Sequence, residues 1–178
     1  MNLPKTLLRH FKPLIILVFG TLTAIGPDSS AAEPASPPPP VSKAKEPLPA
    51  PTHANVSYGP HTDHKIDLWL AKSSRPTPLI LFIHGGGFVS GDKNRVSASA
   101  VREALDDGVS FASINYRFLF DASINEILRD TARALQFVRA RAGDYNLDKR
   151  IAVYGSSAGA GASLWLAFHD ELSDPNNA

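Results

Sequence analysis

Residues 151–159 read Ile-Ala-Val-Tyr-Gly-Ser-Ser-Ala-Gly, a short apolar run followed by a Gly-x-Ser-x-Gly pentapeptide. The apolar run predicts a buried strand, and the pentapeptide predicts a sharp turn from that strand into a helix. Such a turn raises one serine hydroxyl, here that of Ser157, above the end of a sheet. Because a serine hydroxyl with a base beside it can attack a carbonyl carbon, Ser157 is a candidate nucleophile.

The glycines of this stretch permit a second interpretation. Gly155, Gly159 and Gly161 also spell G-x-x-x-G-x-G, which is related to the glycine turns that bind dinucleotides. A dinucleotide turn is expected early in its domain, and a ribose-binding acid follows it by about 20 residues. Here the turn comes late in the chain, so we favour the turn that presents a serine.

A second glycine motif strengthens this interpretation. Residues 84–88 read His-Gly-Gly-Gly-Phe and directly follow the apolar run 79–83. Consecutive glycines leave backbone N–H groups uncovered, so that these groups can donate to the oxyanion of a tetrahedral intermediate. Three glycines alone could be only a flexible turn. Two such motifs, each after a predicted strand, indicate an acyl-transfer site.

The pattern of the remaining chain predicts an α/β fold. Residues 79–83, 111–115 and 151–154 are apolar runs typical of strands buried on both faces of a parallel sheet. Alternation of Ile66, Leu68 and Leu70 with polar or amphipathic residues predicts a strand nearer the sheet edge. Helical periodicity covers about residues 101–105 and 126–142, the latter ending at Gly143, and 146–150 is expected to be a polar turn. This order predicts a mostly parallel sheet with flanking helices.

With these motifs the chain resembles the α/β-hydrolase superfamily, in the esterase and lipase branch near hormone-sensitive-lipase-like and feruloyl-esterase-like (BD-FAE) hydrolases. The matching stretches are 56–59, 66–69, 83–93, 115–117 and 148–163. The resemblance implies that Ser157 is the nucleophile and that Gly86, Gly87 and Ala158 supply the oxyanion N–H groups. It implies that His84 belongs to the loop and is not the base. A small-molecule ester is the implied substrate, and no cofactor is implied.

The resemblance also implies an acid and a histidine after Ser157. His169 lies about 18 Å along a continuous helix from Ser157, whereas a general base must come within about 3 Å. We therefore expect residues 169–171 to be a solvated helix end, the fold to be truncated after the Ser157 helix, and the chain alone to be nearly inactive. We also expect strand 151–154 to lie at an unprotected sheet edge. The alternatives are a non-catalytic binding module of the same fold, or a peptidase or amidase.

The N-terminal third predicts export. Residues 1–32 have a basic start, an apolar run over 14–25 and small residues before a cut after Ala32, as in a signal peptide. The run is short for a bilayer, so we expect no stable membrane span after cleavage; an uncleaved anchor is the alternative. Residues 33–51 are expected to be a proline-rich linker, and 52–178 a partial hydrolase domain.

Composition narrows the remaining possibilities. The chain has no cysteine, which excludes disulfides, a thiolate nucleophile and cysteine-based metal sites. Its net charge of +1 gives no reason to expect nucleic acid as a partner. His61 and His64 could suggest a metal pair, but no third ligand is apparent, and we favour a polar surface loop.

Overall fold

The computed structural model describes residues 16–18 and 46–169, and these form one six-stranded sheet with helices on both faces. The strand order is β1-β6-β4-β5-β3-β2. Strands β1, β6, β4 and β5 run parallel, whereas β3 and β2 are antiparallel to their neighbours. The prediction of a mostly parallel α/β sheet is confirmed. The elements are β1 Ile16–Val18, β2 His53–Ser57, β3 Lys65–Trp69, β4 Thr77–Ile83, α1 Ala98–Asp106, β5 Ser110–Ile114, α2 Ile124–Ala140, β6 Leu147–Gly155 and α3 Ala158–Phe168.

The central strands are buried on both faces because helices cover both sides of the sheet. On β4, Leu79, Leu81 and Ile83 pack in one apolar cluster with residues of α2 and α3. The intervening Ile80 and Phe82 pack in a second cluster with residues of α1. This alternation follows from the two-residue period of a strand, and it explains why β4 appears in the sequence as a continuous apolar run.

Strand β3 lies next to the edge strand β2, as predicted. Its alternating pattern does not leave one face solvated, because the intervening residues Asp67 and Trp69 are also buried. The Asp67 carboxylate lies 2.9 Å from the Lys93 ammonium, which is itself buried, and the Trp69 ring meets Phe111 edge-on. A charged side chain in a strand normally indicates a solvated face, and here its buried partner is distant in sequence.

The boundaries of two elements, α2 and β6, also differ from those predicted. Helix α2 begins earlier, at a capping box formed by Ser123 and Glu126, and ends at Ala140, three residues before Gly143. Strand β6 begins at Leu147, inside the predicted turn, because Leu147 is buried and pairs with Thr77 of β4.

The sheet edge beside β6 is not unprotected, contrary to expectation. Residues Ile16, Leu17 and Val18 pair in parallel with Val153, Tyr154 and Gly155. Strand β1 belongs to the apolar run that we assigned to the export signal. A cut after Ala32 would therefore remove the strand that protects this edge. The rest of the predicted signal, and residues 33–45 of the predicted linker, lie outside the described residues.

Residues 46–51, the end of the predicted linker, lie against the domain. The Trp69 indole donates to the Pro49 carbonyl at 2.8 Å, and the Arg102 guanidinium donates to the Pro47 carbonyl at 2.7 Å. No helix in the described part of the chain is long and apolar enough to cross a membrane.

Candidate active site

Ser157 occupies the two-residue turn between β6 and α3. Its backbone has φ 50° and ψ −119°, a strained conformation for a residue with a side chain, and the residue is exposed to solvent. The flanking glycines are required by close packing. A Cβ on Gly159 would collide with the Ile83 carbonyl, and one on Gly155 would collide with the Gly159 backbone. The sequence therefore folds into the sharp strand–serine–helix turn that the pentapeptide predicted.

The oxyanion loop, defined as residues 84–95, lies directly against this turn. A Cβ built on Gly85 would be 3.2 Å from the Ser157 Cβ and 2.6 Å from the Ser156 carbonyl oxygen. The two motifs are about 70 residues apart in the sequence, yet β4 and β6 are adjacent parallel strands whose carboxyl ends meet. The structure thus brings the predicted nucleophile and the predicted oxyanion loop together.

The Gly86 N–H group is oriented by a side chain. The carbonyl oxygen of Gly85 lies 2.8 Å from Nδ1 of His84, and since a carbonyl can only accept, Nδ1 carries the proton. In a trans peptide the N–H points away from the preceding carbonyl. Fixing the Gly85 carbonyl therefore fixes the direction of the Gly86 N–H.

The Gly87 N–H group is oriented in the same way by the backbone. The Gly86 carbonyl accepts from the N–H groups of Val89 and Ser90, each at 3.1 Å. The trans peptide then directs the Gly87 N–H to the opposite side. Gly86 has φ +120°, and a Cβ there would collide with the Ser90 carbonyl, so this conformation requires glycine.

Helix α3 offers the third predicted donor. Ala158 is its first residue, and the N–H groups of the first turn have no carbonyl of the same helix to bond. The same helix end carries partial positive charge, which favours negative charge developing beside Ser157. Gly86, Gly87 and Ala158 thus present backbone donors on elements that border the serine.

His84 is enclosed within the loop structure. Its ring is fully buried and stacks on Tyr116 with centroids 4.3 Å apart. Burial lowers the pKa of His84, so the ring is neutral at pH 7 with its single proton on Nδ1. Its Nε2, the nitrogen that could accept a proton, is buried and makes no hydrogen bond within the described part of the chain, so no contact there couples His84 to Ser157.

His169 does not reach Ser157 either. Helix α3 is continuous from Ala158 to Phe168, so the separation of about 18 Å along its axis applies. The His169 ring stacks on Trp165, and its Nδ1 lies 2.8 Å from the Trp165 carbonyl oxygen. Asp170, Glu171 and Asp174 lie outside the described residues.

His64 corrects the prediction of a polar surface loop. It is 3% exposed, and its Nε2 lies 3.0 Å from Oδ1 of Asp130, which is also buried. Arg117 donates to both oxygens of Asp130 at 2.8 Å. Burial acts to raise the pKa of Asp130, but the hydrogen bonds from His64 and Arg117 prevail and lower it to about 2. Among the described residues no cluster of side chains could hold a metal ion.

An apolar groove of about 380 Å³ lies elsewhere, between α1 and the sheet. Its lining includes Ile80, Ala104, Phe111 and Tyr154, but neither Ser157 nor any residue of the oxyanion loop. It is therefore distinct from the candidate active site.

Sequence reasoning singled out the serine and the glycines that the structure brings together, but it missed the residues that hold them. Asn115, Tyr116 and Lys93 were noted only as parts of matching stretches, and Asp130 was not noted at all. The sequence shows only that these residues stand beside apolar runs. It does not show which distant groups their side chains contact.

Comparison with known proteins agrees with this architecture. The sequence profile of the BD-FAE family matches residues 66–177. A probable isoprenylcysteine alpha-carbonyl methylesterase of Oryza sativa subsp. japonica is 30% identical over 108 residues, which cover 60% of this chain and 26% of that protein.

Two solved structures share the fold. A truncated carbohydrate esterase from gut microbiota has a TM-score of 0.58 and 28% identity, covering 62% of this chain and 41% of its own. A bacterial heroin esterase has a TM-score of 0.57 and 28% identity, covering 65% of this chain and 38% of its own. The chain therefore spans about a quarter of the rice protein and about two fifths of these structures.

Proposed function

This chain belongs to the BD-FAE family of the α/β-hydrolase superfamily, and on that premise we propose that it carries the nucleophile of a carboxylic-ester hydrolase. From the signal-like N-terminal sequence we propose separately that the protein is exported. The observation that supports this most is the contact between the oxyanion loop and the serine turn. A Cβ on Gly85 would approach the Ser157 Cβ to 3.2 Å, so the loop and the nucleophile share one site. Its homologues include esterases, which act on small-molecule esters.

The proposed reaction has two acyl-transfer steps. Ser157 Oγ attacks the ester carbonyl carbon, its proton passes to a base, and the carbonyl oxygen becomes an oxyanion. The N–H groups of Gly86, Gly87 and Ala158 stabilise that oxyanion. The tetrahedral intermediate then expels the alcohol, which takes a proton. Water attacks the acyl-serine by the same route, releasing the carboxylic acid and restoring the serine.

Among the described residues no histidine is seen to contact Ser157. His84 Nε2 is buried without a hydrogen-bond partner, His64 contacts Asp130, and His169 lies at the far end of α3. We propose that the histidine and its acid lie outside the residues described, and that the described part alone is nearly inactive. Removing a triad member in well-studied enzymes leaves about 10³–10⁴-fold acceleration over water, so a small residual activity is expected.

Hydrolysis of p-nitrophenyl acetate by the full chain tests this function. Exogenous imidazole can replace an absent general base, so we expect low turnover that rises with imidazole concentration. The Ser157→Ala variant should show only the reaction of imidazole in solution, whereas Ser156→Ala should retain the enhancement. Equal rates for the parent and Ser157→Ala at every imidazole concentration would contradict the proposed nucleophile. Robust turnover without imidazole, abolished by Ser157→Ala, would instead show that the chain contains its base.

A further inference from the structure

The segment Asn115–Arg117 directly follows β5, and each of its three side chains makes hydrogen bonds to a distant part of the chain. It was one of the stretches that carried the family resemblance, but the proposed reaction assigns it no role. Its contacts lead to the oxyanion loop and to α2.

Tyr116 contacts the start of the oxyanion loop. Its hydroxyl donates to the His84 carbonyl at 2.7 Å, and its ring stacks on the His84 ring. Both groups are fully buried. One side chain therefore fixes the carbonyl of His84 and also the imidazole that orients the Gly85 carbonyl, and through it the Gly86 N–H.

Asn115 contacts the other end of the loop. Its Oδ1 accepts from the Lys93 N–H at 2.6 Å, and its Nδ2 donates to the Asp92 carboxylate at 3.0 Å. The Lys93 carbonyl accepts from Ser113 Oγ at 2.7 Å, and its ammonium contacts Asp67. The backbone N–H, the carbonyl and the ammonium of Lys93 are thus bound by Asn115, by Ser113 of β5 and by Asp67 of β3, respectively.

Hydrogen bonds also fix the middle of the oxyanion loop and the segment Asn115–Arg117. The Leu119 N–H donates to the Phe88 carbonyl at 2.8 Å, only one residue after the glycines. Arg117 binds both oxygens of Asp130 on α2, which anchors the segment to a helix. The loop is therefore connected at its start, middle and end to one short stretch of chain.

We propose that Asn115 and Tyr116 are positioning residues that hold the two ends of the oxyanion loop so that its glycine N–H groups face Ser157. This inference rests on the proposed function. The two residues touch no reacting atom and act only through the loop. Their loss should slow the chemistry at Ser157 without changing how a reagent is bound.

Covalent labelling of Ser157 measures this directly. An aryl alkylphosphonate forms a tetrahedral serine adduct whose phosphoryl oxygen occupies the oxyanion position, and intact mass follows the reaction over hours in the full chain. Loss of a whole oxyanion donor costs about 10²–10³ in rate, so misorientation should cost less, about tenfold. We expect Tyr116→Phe and Asn115→Leu to lower the maximal labelling rate by about that factor, with the half-saturating concentration unchanged within about twofold.

A stability-matched control separates positioning from general destabilisation. Ser110 is buried at the opposite end of β5, where its hydroxyl binds Thr77 Oγ1 at 2.7 Å and accepts from the Ala71 N–H at 3.0 Å. Ser110→Ala should lose stability but keep the labelling rate. Amide exchange over residues 84–95 should rise in Tyr116→Phe and Asn115→Leu but stay at the parent level in Ser110→Ala.

The outcomes are distinguishable. If the parent is labelled at Ser157 and both variants are labelled as fast, or if Ser110→Ala slows equally, the positioning role is wrong and the proposed function stands. If the parent is labelled no faster than Ser157→Ala, the proposed function fails, and the positioning role fails with it.

Discussion

Removing the ammonium of Lys93 should strongly destabilise the domain. Lys93 and Asp67 are each less than a tenth exposed and lie 2.9 Å apart, and Asp67 Oδ1 also accepts from the Asn55 N–H at 2.6 Å. In Lys93→Met the Asp67 carboxylate stays buried without its counter-charge, and that situation costs about 3–5 kcal/mol. Replacing both partners by apolar residues of similar size is often neutral or stabilising. Lys93→Met combined with Asp67→Leu should therefore recover most of the loss.

Urea unfolding of the full chain, followed by tryptophan fluorescence and circular dichroism, provides the free energies of unfolding. The exposed pair Arg141–Asp144, at 3.2 Å with both side chains more than half exposed, is the matched control. Arg141→Ala should change the free energy of unfolding by less than about 1 kcal/mol. A loss below about 1 kcal/mol in Lys93→Met, or a double variant no more stable than the single one, would refute the claim that this pair is buried and coupled.

Three further predictions follow from the same contacts. Gly86→Ala should lower the rate at which a phosphonate labels Ser157 by about 10²-fold, because the added Cβ would collide with the Ser90 carbonyl. Gly143→Ala is the control and should leave that rate unchanged, because a Cβ on Gly143 meets nothing within 4 Å. The pKa of the Asp130 carboxyl is about 2 in the folded chain and about 3.9 when unfolded, which corresponds to about 3 kcal/mol of stability. That contribution is present above pH 4 and is lost as the pH falls from 4 to 2, so Asp130→Asn should flatten this part of the acid-unfolding curve. A protein of residues 52–178 alone lacks β1, so the edge of β6 that β1 pairs with is open. It should aggregate or show no cooperative thermal transition. A monodisperse monomer with a sharp transition would contradict this prediction.

Sequence patterns predicted the strands and helices well where each element is determined by residues close together in the chain. The apolar runs at β4, β5 and β6 and the periodicity of α1 and α2 identified the elements, because burial on one or both faces determines residue type along each element. The glycine requirement at the serine turn was also predictable, since it depends on neighbouring backbone. Boundaries were less predictable. Leu147 joins β6 because Thr77 lies beside it, and a sequence pattern does not reveal that neighbour.

Long-range polar pairing was the part that local patterns could not predict. Asp67 and Lys93, and likewise His64 and Asp130, are distant in the sequence and are charged or polar types that usually indicate solvent. Each becomes buried only because its partner arrives from another element. The pairing of β1 with β6 was missed for a related reason, since the same apolar run also fits an export signal.

Identification of the phosphonate-labelled residue tests the central claim most directly. The full chain would be reacted with an aryl alkylphosphonate, digested and mapped by tandem mass spectrometry, with urea-unfolded chain as the reference. Ser156 is an internal control, because it is adjacent to Ser157 and also exposed. We predict an adduct on Ser157 that forms at least about 10²-fold faster than in the unfolded chain, with none on Ser156, since oxyanion stabilisation is worth that much per donor. Labelling of Ser156, or of both serines at the unfolded rate, would contradict the claim that the oxyanion loop and Ser157 form one catalytic site.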